Sequence, residues 1–215
     1  MNFTLHFAAL RSVSLKAYFQ SIEARYFFSI ICISVASIFF VLLINFSNES
    51  NLLTIARMAI FNVISSATTT GYDTTDYNLW PTITFSLMLL LSCFTTCSGS
   101  TGGGVKLIRA IIMLKQARRE ILRTVHPHAI IPIKIGNQTV ANRVILAVLA
   151  FMFFYLLTLV TAFLFLTSTG LSAGASISAA LACINNLGPA LFELGPSANY
   201  GILSDIQLSI LSVVM

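Results

Sequence analysis

Apolar residues fall in long unbroken runs along this chain, and polar residues collect in a few short places between them. Phe27 to Phe46 is twenty residues without a charge, and Val144 to Thr167 is twenty-four. As helices, each is long enough to cross a hydrocarbon layer about 30 Å thick. Both predict transmembrane helices. A third apolar run, Leu79 to Cys97, ends in the glycine cluster GSTGGG, and a fourth runs from near Ile206 to Met215, too short to span. Between the first and third runs lies LLTIARMAIFNVISSA, Leu52 to Ala67, an amphipathic segment interrupted by Arg57 and Asn62. It leads into the threonine-rich stretch ATTTGYDTTDY, Ala67 to Tyr77, which holds almost nothing that could line a core.

Composition places these runs in a bilayer. The chain is 57% hydrophobic and 9% charged with 17 Phe, too few charges to coat a soluble globule of this size. Charge then gives a direction. Residues 106–143 carry eight Lys or Arg against Glu120 alone, a balance of +7, and residues 1–26 balance at +2. Residues 45–81 set Arg57 against Glu49, Asp73 and Asp76, a balance of −2. The positive-inside rule predicts that the N-terminus and the basic segment face the cytoplasm and the threonine-rich stretch faces outward. Arg11, Lys16, Glu23 and Arg25 separate Met1 from the first apolar run, so the start does not read as a signal peptide.

Two inner ends require an even number of crossings, yet three apolar segments lie between them. One must enter and return. The middle segment, Leu52 to Ala67, is the shortest and most polar, which predicts a re-entrant helix followed by an extended return; irregular backbone at membrane depth is tolerated where it is buried in protein or lines a watery path. A spacing supports this. Phe27 to Gly71 is 44 residues and Val144 to Gly188 is also 44, each interval holding a long span, a short loop, a helix rich in small residues (Leu52 to Ala67; Leu171 to Cys183) and a polar turn around glycine. The fold class predicted is an all-α membrane protein of two parallel span, pore helix, filter, span repeats, the second incomplete. It divides into a cytoplasmic segment 1–26, a pore repeat 27–123 with a broken second span, a cytoplasmic linker 124–143 and a second repeat 144–215 whose last helix reads as truncated at Met215.

ATTTGYDTTDY and INNLGPA, with CSGSTGGGVKLIR between them and ALRSVSLKAYFQSIEARYF near the start, resemble the Trk-type potassium uptake proteins of the Trk/Ktr/HKT superfamily. The resemblance runs over nearly the whole chain. It implies a pore of four span, pore helix, span repeats, of which this chain looks like the third and part of the fourth, in the inner (plasma) membrane of a bacterium. It further implies a multi-pass homodimer in contact with membrane lipid and with a cytosolic nucleotide-binding regulatory subunit, and no nucleic-acid partner. The family's pore-lining arginine in the last helix has no counterpart here.

The chemistry asked of the two polar turns follows from the ion. A dehydrated potassium ion, the transported substrate, needs a cage of oxygens, and backbone carbonyls supply one without a full charge that would trap it. Thr68, Thr69, Thr70, Gly71 and Tyr72 are the first candidate filter, and Asn185, Asn186, Leu187 and Gly188 the second. Gly71 permits backbone angles closed to other residues, the threonine hydroxyls can bond neighbouring backbone, and Pro189 fixes the chain after Gly188. Gly99, Ser100, Thr101, Gly102, Gly103, Gly104 and Lys106 form either a flexible break below the filter, a candidate gate, or a plain inter-helix turn. They are not a phosphate loop, because Val105 follows Gly104 where a Walker A motif places lysine.

Other features carry less. His126 and His128 flank Pro127 without nearby Cys or carboxylate ligands, and no resident metal or cofactor is expected. Cys32, Cys93, Cys97 and Cys183 sit in or beside apolar segments as small hydrophobes. Lys115, Arg118, Arg119 and Arg123 form a basic helix face suited to anionic lipid or to a regulatory partner. Asn48-Glu49-Ser50 fits a glycosylation sequon. No nucleophile and base pair lies within the spans, so no enzyme is expected. Two functions stay open: a monovalent cation transporter or channel subunit, and a non-conducting fragment of one. Potassium and sodium are not separated by the sequence.

Overall fold

The computed structural model describes residues 3–13, 16–46, 51–129, 131–136 and 138–215. The Asn48-Glu49-Ser50 sequon lies outside the described residues. Two short helices, α1 (Phe3–Ser12) and α2 (Lys16–Gln20), lead into α3 (Ile22–Phe46). Then follow α4 (Leu52–Ala67), α5 (Thr82–Phe94) and α6 (Leu107–Val125). After a small hairpin come α7 (Asn142–Ser168), α8 (Ala173–Ile184) and α9 (Asp205–Val214).

Helix α3 begins five residues before its charge-free run. Ser21 makes this possible, since its Oγ accepts the Ala24 N–H at 3.4 Å, and Glu23 in the first turn accepts the Ser98 N–H at 2.6 Å. Helices α3 and α7 are 25 and 27 residues long, and only 22% and 17% of their most apolar stretches are buried. Phe40, Ile44, Phe153 and Phe165 point outward from them. Both helices are long and apolar enough to cross a membrane.

The short helices behave oppositely. Ile55, Ala59, Val63 and Ala67 recur every four residues on α4 and bury one face against Ile38 and Leu42 of α3 and Met88 and Leu91 of α5. Small residues do the same on α8: Ala179, Ala180 and Ala182 pack on Ala162 and Leu166 of α7 and Leu211 of α9. Small side chains let helix backbones approach closely, which is how helices associate where surrounding lipid removes a hydrophobic drive. The third apolar run forms helix only over Thr82–Phe94, because Pro81 stands at its start.

Residues 124–143 depart from an all-helical reading. Strands β1 (Lys134–Ile135) and β2 (Gln138–Thr139) pair antiparallel, Lys134 opposite Thr139. Gly136, at φ +61°, supplies the left-handed angle the reversal needs. Ile133 plugs the hairpin into a cluster with Ile112 of α6 and Ile145 and Val148 of α7. A two-residue ladder is too short for the sequence pattern to announce, so the linker reads as loop from sequence alone.

Candidate functional site: two polar turns over a glycine segment

Helices α4 and α8 end the same way. After α4, the N–H groups of Thr68, Thr69 and Thr70 donate to the carbonyls of Ile64, Ser66 and Ser65. After α8, those of Asn185, Asn186 and Leu187 donate to Leu181, Cys183 and Ala182. Thr69 and Asn186 stand at φ +52° and +53°, and Gly71 and Gly188 at +77° and +98°. Each turn thus caps its helix through a left-handed residue and leaves through a left-handed glycine, a geometry in which non-glycine residues are strained.

Both turns meet at one place. A Cβ on Gly71 would collide with the Leu187 carbonyl oxygen. Among the described residues, no hydrogen bond reaches the carbonyls of Thr69, Thr70, Gly71, Asn186 or Leu187. The carbonyl after each set is occupied: Tyr72 accepts from Ser65 Oγ at 2.7 Å and Gly188 from the Tyr200 hydroxyl at 2.9 Å. Free carbonyls held by such anchored neighbours can ligate a cation.

Side chains hold the turns in shape. The Thr68 hydroxyl donates to the Ile64 carbonyl at 2.7 Å and pairs with the Thr70 hydroxyl at 2.7 Å. Asn62, fully buried on α4, gathers the return strand through Thr74 Oγ1 at 3.1 Å and the Thr74 N–H at 3.4 Å. In the sequence, Asn62 marks only a polar interruption of an apolar segment. The outer loops are cross-tied: Asn78 exchanges bonds with the Phe192 backbone at 3.1 and 3.2 Å, and the Ser197 hydroxyl donates to Asp76 at 2.6 Å. Half-buried Asp73 lies nearby; burial first, and the Asp76 charge second, raise its carboxyl to about 6.

The Asn185 side chain turns away from the free carbonyls into a buried network. Its Oδ1 accepts from the Tyr155 hydroxyl of α7 at 2.9 Å, and its Nδ2 donates to Ser92 Oγ at 3.3 Å and Cys93 Sγ at 3.1 Å on α5. Nothing in the sequence spacing links residue 185 to residues 92 and 155.

The glycine segment lies against both turns. A Cβ on Gly102 would come within 2.9 Å of Thr69 Oγ1, and one on Gly103 within 2.6 Å of the Asn185 carbonyl oxygen. Gly104, at φ +77°, faces Asn185 Oδ1 and the Cys93 carbonyl at 2.8 and 2.7 Å in the same sense. The segment is pinned as well as close: Val105 N–H donates to the Cys93 carbonyl at 2.9 Å, Thr96 Oγ1 to the Gly103 carbonyl at 2.8 Å, and Lys106 Nζ to the Ser100 carbonyl at 3.2 Å. Gly99 and Thr101 complete the turn at the exposed end. A cavity of about 230 Å³ opens between this segment, Thr68 and α1, lined by Phe3, His6, Thr96 and Ser100 among others.

A family model for cation transport proteins, TrkH, matches residues 2–214. The chain belongs to the TrkH family. The Trk system potassium uptake protein TrkH of Halomonas elongata is 38% identical over 216 residues, covering 100% of this chain and 44% of that protein. TrkH of Escherichia coli K12 is 37% identical over 190 residues, covering 88% of this chain and 39% of its own length. The crystal structure of the potassium transporter TrkH from Vibrio parahaemolyticus superimposes with a TM-score of 0.91 at 38% identity, covering 100% of this chain and 46% of that one. The chain therefore spans less than half the length of the TrkH proteins it matches.

Proposed function

We propose that this chain supplies part of a potassium pathway in a Trk system, with the free carbonyls of Thr69, Thr70, Gly71, Asn186 and Leu187 replacing water around the ion. The observation that carries this reading is the convergence of two turns of matching geometry on one set of unbonded carbonyls. Potassium is the proposed substrate because the relatives of this sequence are potassium uptake proteins. In this reading α3, α4 and α5 form one span, pore helix, span unit and α7, α8 and α9 the next, parallel to it. The C-terminal ends of α4 and α8, negative by their aligned peptide dipoles, lie beside the ion. In this reading the segment Gly99 to Lys106 is the gate: it packs against both turns beside the cavity that Thr68 lines, and its displacement would widen the way from that cavity to the turns.

The orientation follows the charge balance: residues 1–26 and 124–143 face the cytoplasm of a bacterial inner membrane, and Thr74 faces outward. Thr68, Thr70, Asn186 and Gly188 are exposed in the isolated chain, so the pathway needs further protein on its open side. A homodimer and a cytosolic nucleotide-binding subunit complete the proposed assembly.

The test is ion flux through a chimera in which this chain replaces the matching part of the Vibrio parahaemolyticus TrkH, reconstituted in liposomes. The expected result is potassium flux that sodium competes with poorly, with a cysteine placed at Arg118 labelled only from the side of the cytoplasm. Equal potassium and sodium flux defeats the potassium assignment, and labelling of that cysteine from outside defeats the orientation.

A further inference from the structure

Away from the two turns, a cleft of about 400 Å³ opens between the start of α3, helix α6 and the β hairpin. Arg25 and Lys115 line it from opposite elements. Among the described residues, no carboxylate forms an ion pair with either. Neighbouring acids are engaged elsewhere: Glu23 accepts the Ser98 N–H at 2.6 Å, and Glu120 lies 3.6 and 3.5 Å from Arg119 and Arg123. Lys115 Nζ donates to the Lys134 carbonyl at 2.6 Å, which fixes the ammonium at the rim and leaves its remaining protons to a ligand. The cleft thus presents two uncompensated cations, one of them a guanidinium whose planar fork fits a phosphate.

Its level and its walls narrow the ligand. Arg25 and Tyr26 stand directly before the charge-free run that starts at Phe27, the depth at which basic and aromatic side chains meet lipid headgroups. Ile22, Ile111 and Ile135 supply an apolar wall beside the cations, which a soluble anion does not use and an acyl chain does. We infer that this cleft holds an anionic lipid, its phosphate between Arg25 and Lys115 and its first acyl carbons along the three isoleucines. The orientation proposed above makes it a lipid of the cytoplasmic leaflet; the site itself does not depend on transport.

The chain is extracted from bacterial membranes in styrene–maleic acid discs, and the lipids retained are measured by mass spectrometry. Phosphatidylglycerol and cardiolipin are expected to be enriched over phosphatidylethanolamine relative to the bulk membrane. Each of Arg25→Gln and Lys115→Gln is expected to lower that enrichment about fivefold, the equivalent of about 1 kcal/mol per basic residue at a membrane surface. Arg143→Gln, exposed at the start of α7 outside the cleft, is expected to leave it unchanged. Equal lipid composition for wild type and the Arg25→Gln, Lys115→Gln double variant overturns the site. Thermal stabilisation of the detergent-purified chain by millimolar inorganic phosphate, matched by no effect of phosphatidylglycerol, overturns the lipid assignment in favour of a soluble anion.

Discussion

Gly71→Ser in the chimera is expected to cut potassium flux at least about tenfold or to abolish its preference over sodium, while Gly188→Ala has a smaller effect. Both glycines adopt left-handed angles, φ +77° and +98°, and a side chain at such an angle costs on the order of 1–3 kcal/mol. That cost alone would treat the two alike. Their surroundings do not. A Cβ at residue 71 runs into the Leu187 carbonyl oxygen, which is backbone and cannot rotate aside, whereas nothing among the described residues lies within 4 Å of a Cβ at residue 188. The first substitution must push the two turns apart and spoil the proposed oxygen cage; the second strains one turn and leaves the meeting point intact. Flux and ion competition measured side by side, at matched protein levels, check the contrast. Equal loss in both variants would mean that backbone strain, not contact between the turns, governs this region.

Asn185→Leu is expected to destabilise the assembled protein by about 2 kcal/mol, while Asn186→Leu changes stability little. The Asn185 side chain is fully buried and makes three hydrogen bonds to α5 and α7. Bonds between helices in a membrane average about 0.6 kcal/mol each, and the Tyr155 hydroxyl loses its short partner, keeping, among the described residues, Cys93 Sγ at 3.8 Å. Asn186 is exposed and, among the described residues, has no such network. Because Gly103 and Gly104 pack directly on Asn185, the same substitution is expected to loosen the glycine segment and raise its protease sensitivity. Thermal unfolding in detergent and limited proteolysis read both effects. A stable Asn185→Leu protein with an unchanged cleavage pattern would remove Asn185 as the link between the second turn and the glycine segment.

What the sequence disclosed and what it withheld have physical reasons. Helix α4 runs from Leu52 to Ala67, the limits its composition suggests, because polar Asn51 before it and the threonines after it bracket the apolar segment. The long spans were readable from length alone, although α3 starts earlier than its charge-free run because Ser21 and Glu23 find backbone partners. The matching φ angles at Thr69 and Asn186 were not readable: the two turns share glycine but little else in sequence, and a left-handed threonine runs against the preference of a β-branched residue. Contacts between residues far apart in the chain were equally hidden. Asn185 with Ser92 and Tyr155, and Gly103 with Asn185, arise only once α5, α7 and α8 are packed. A run of glycines signals a break; which backbone it must approach is decided by the fold.

Carbonyls of the two turns are proposed to ligate the transported ion. Rubidium is a potassium mimic with a strong anomalous signal, so diffraction from the chimera crystallised in rubidium chloride tests it directly. Anomalous density is expected where Gly71 meets Leu187, within ligand distance of the carbonyls of residues 69–71 and 186–187, and is expected to be lost in Gly71→Ser. Rubidium density confined to other parts of the molecule, with this position empty, would contradict it.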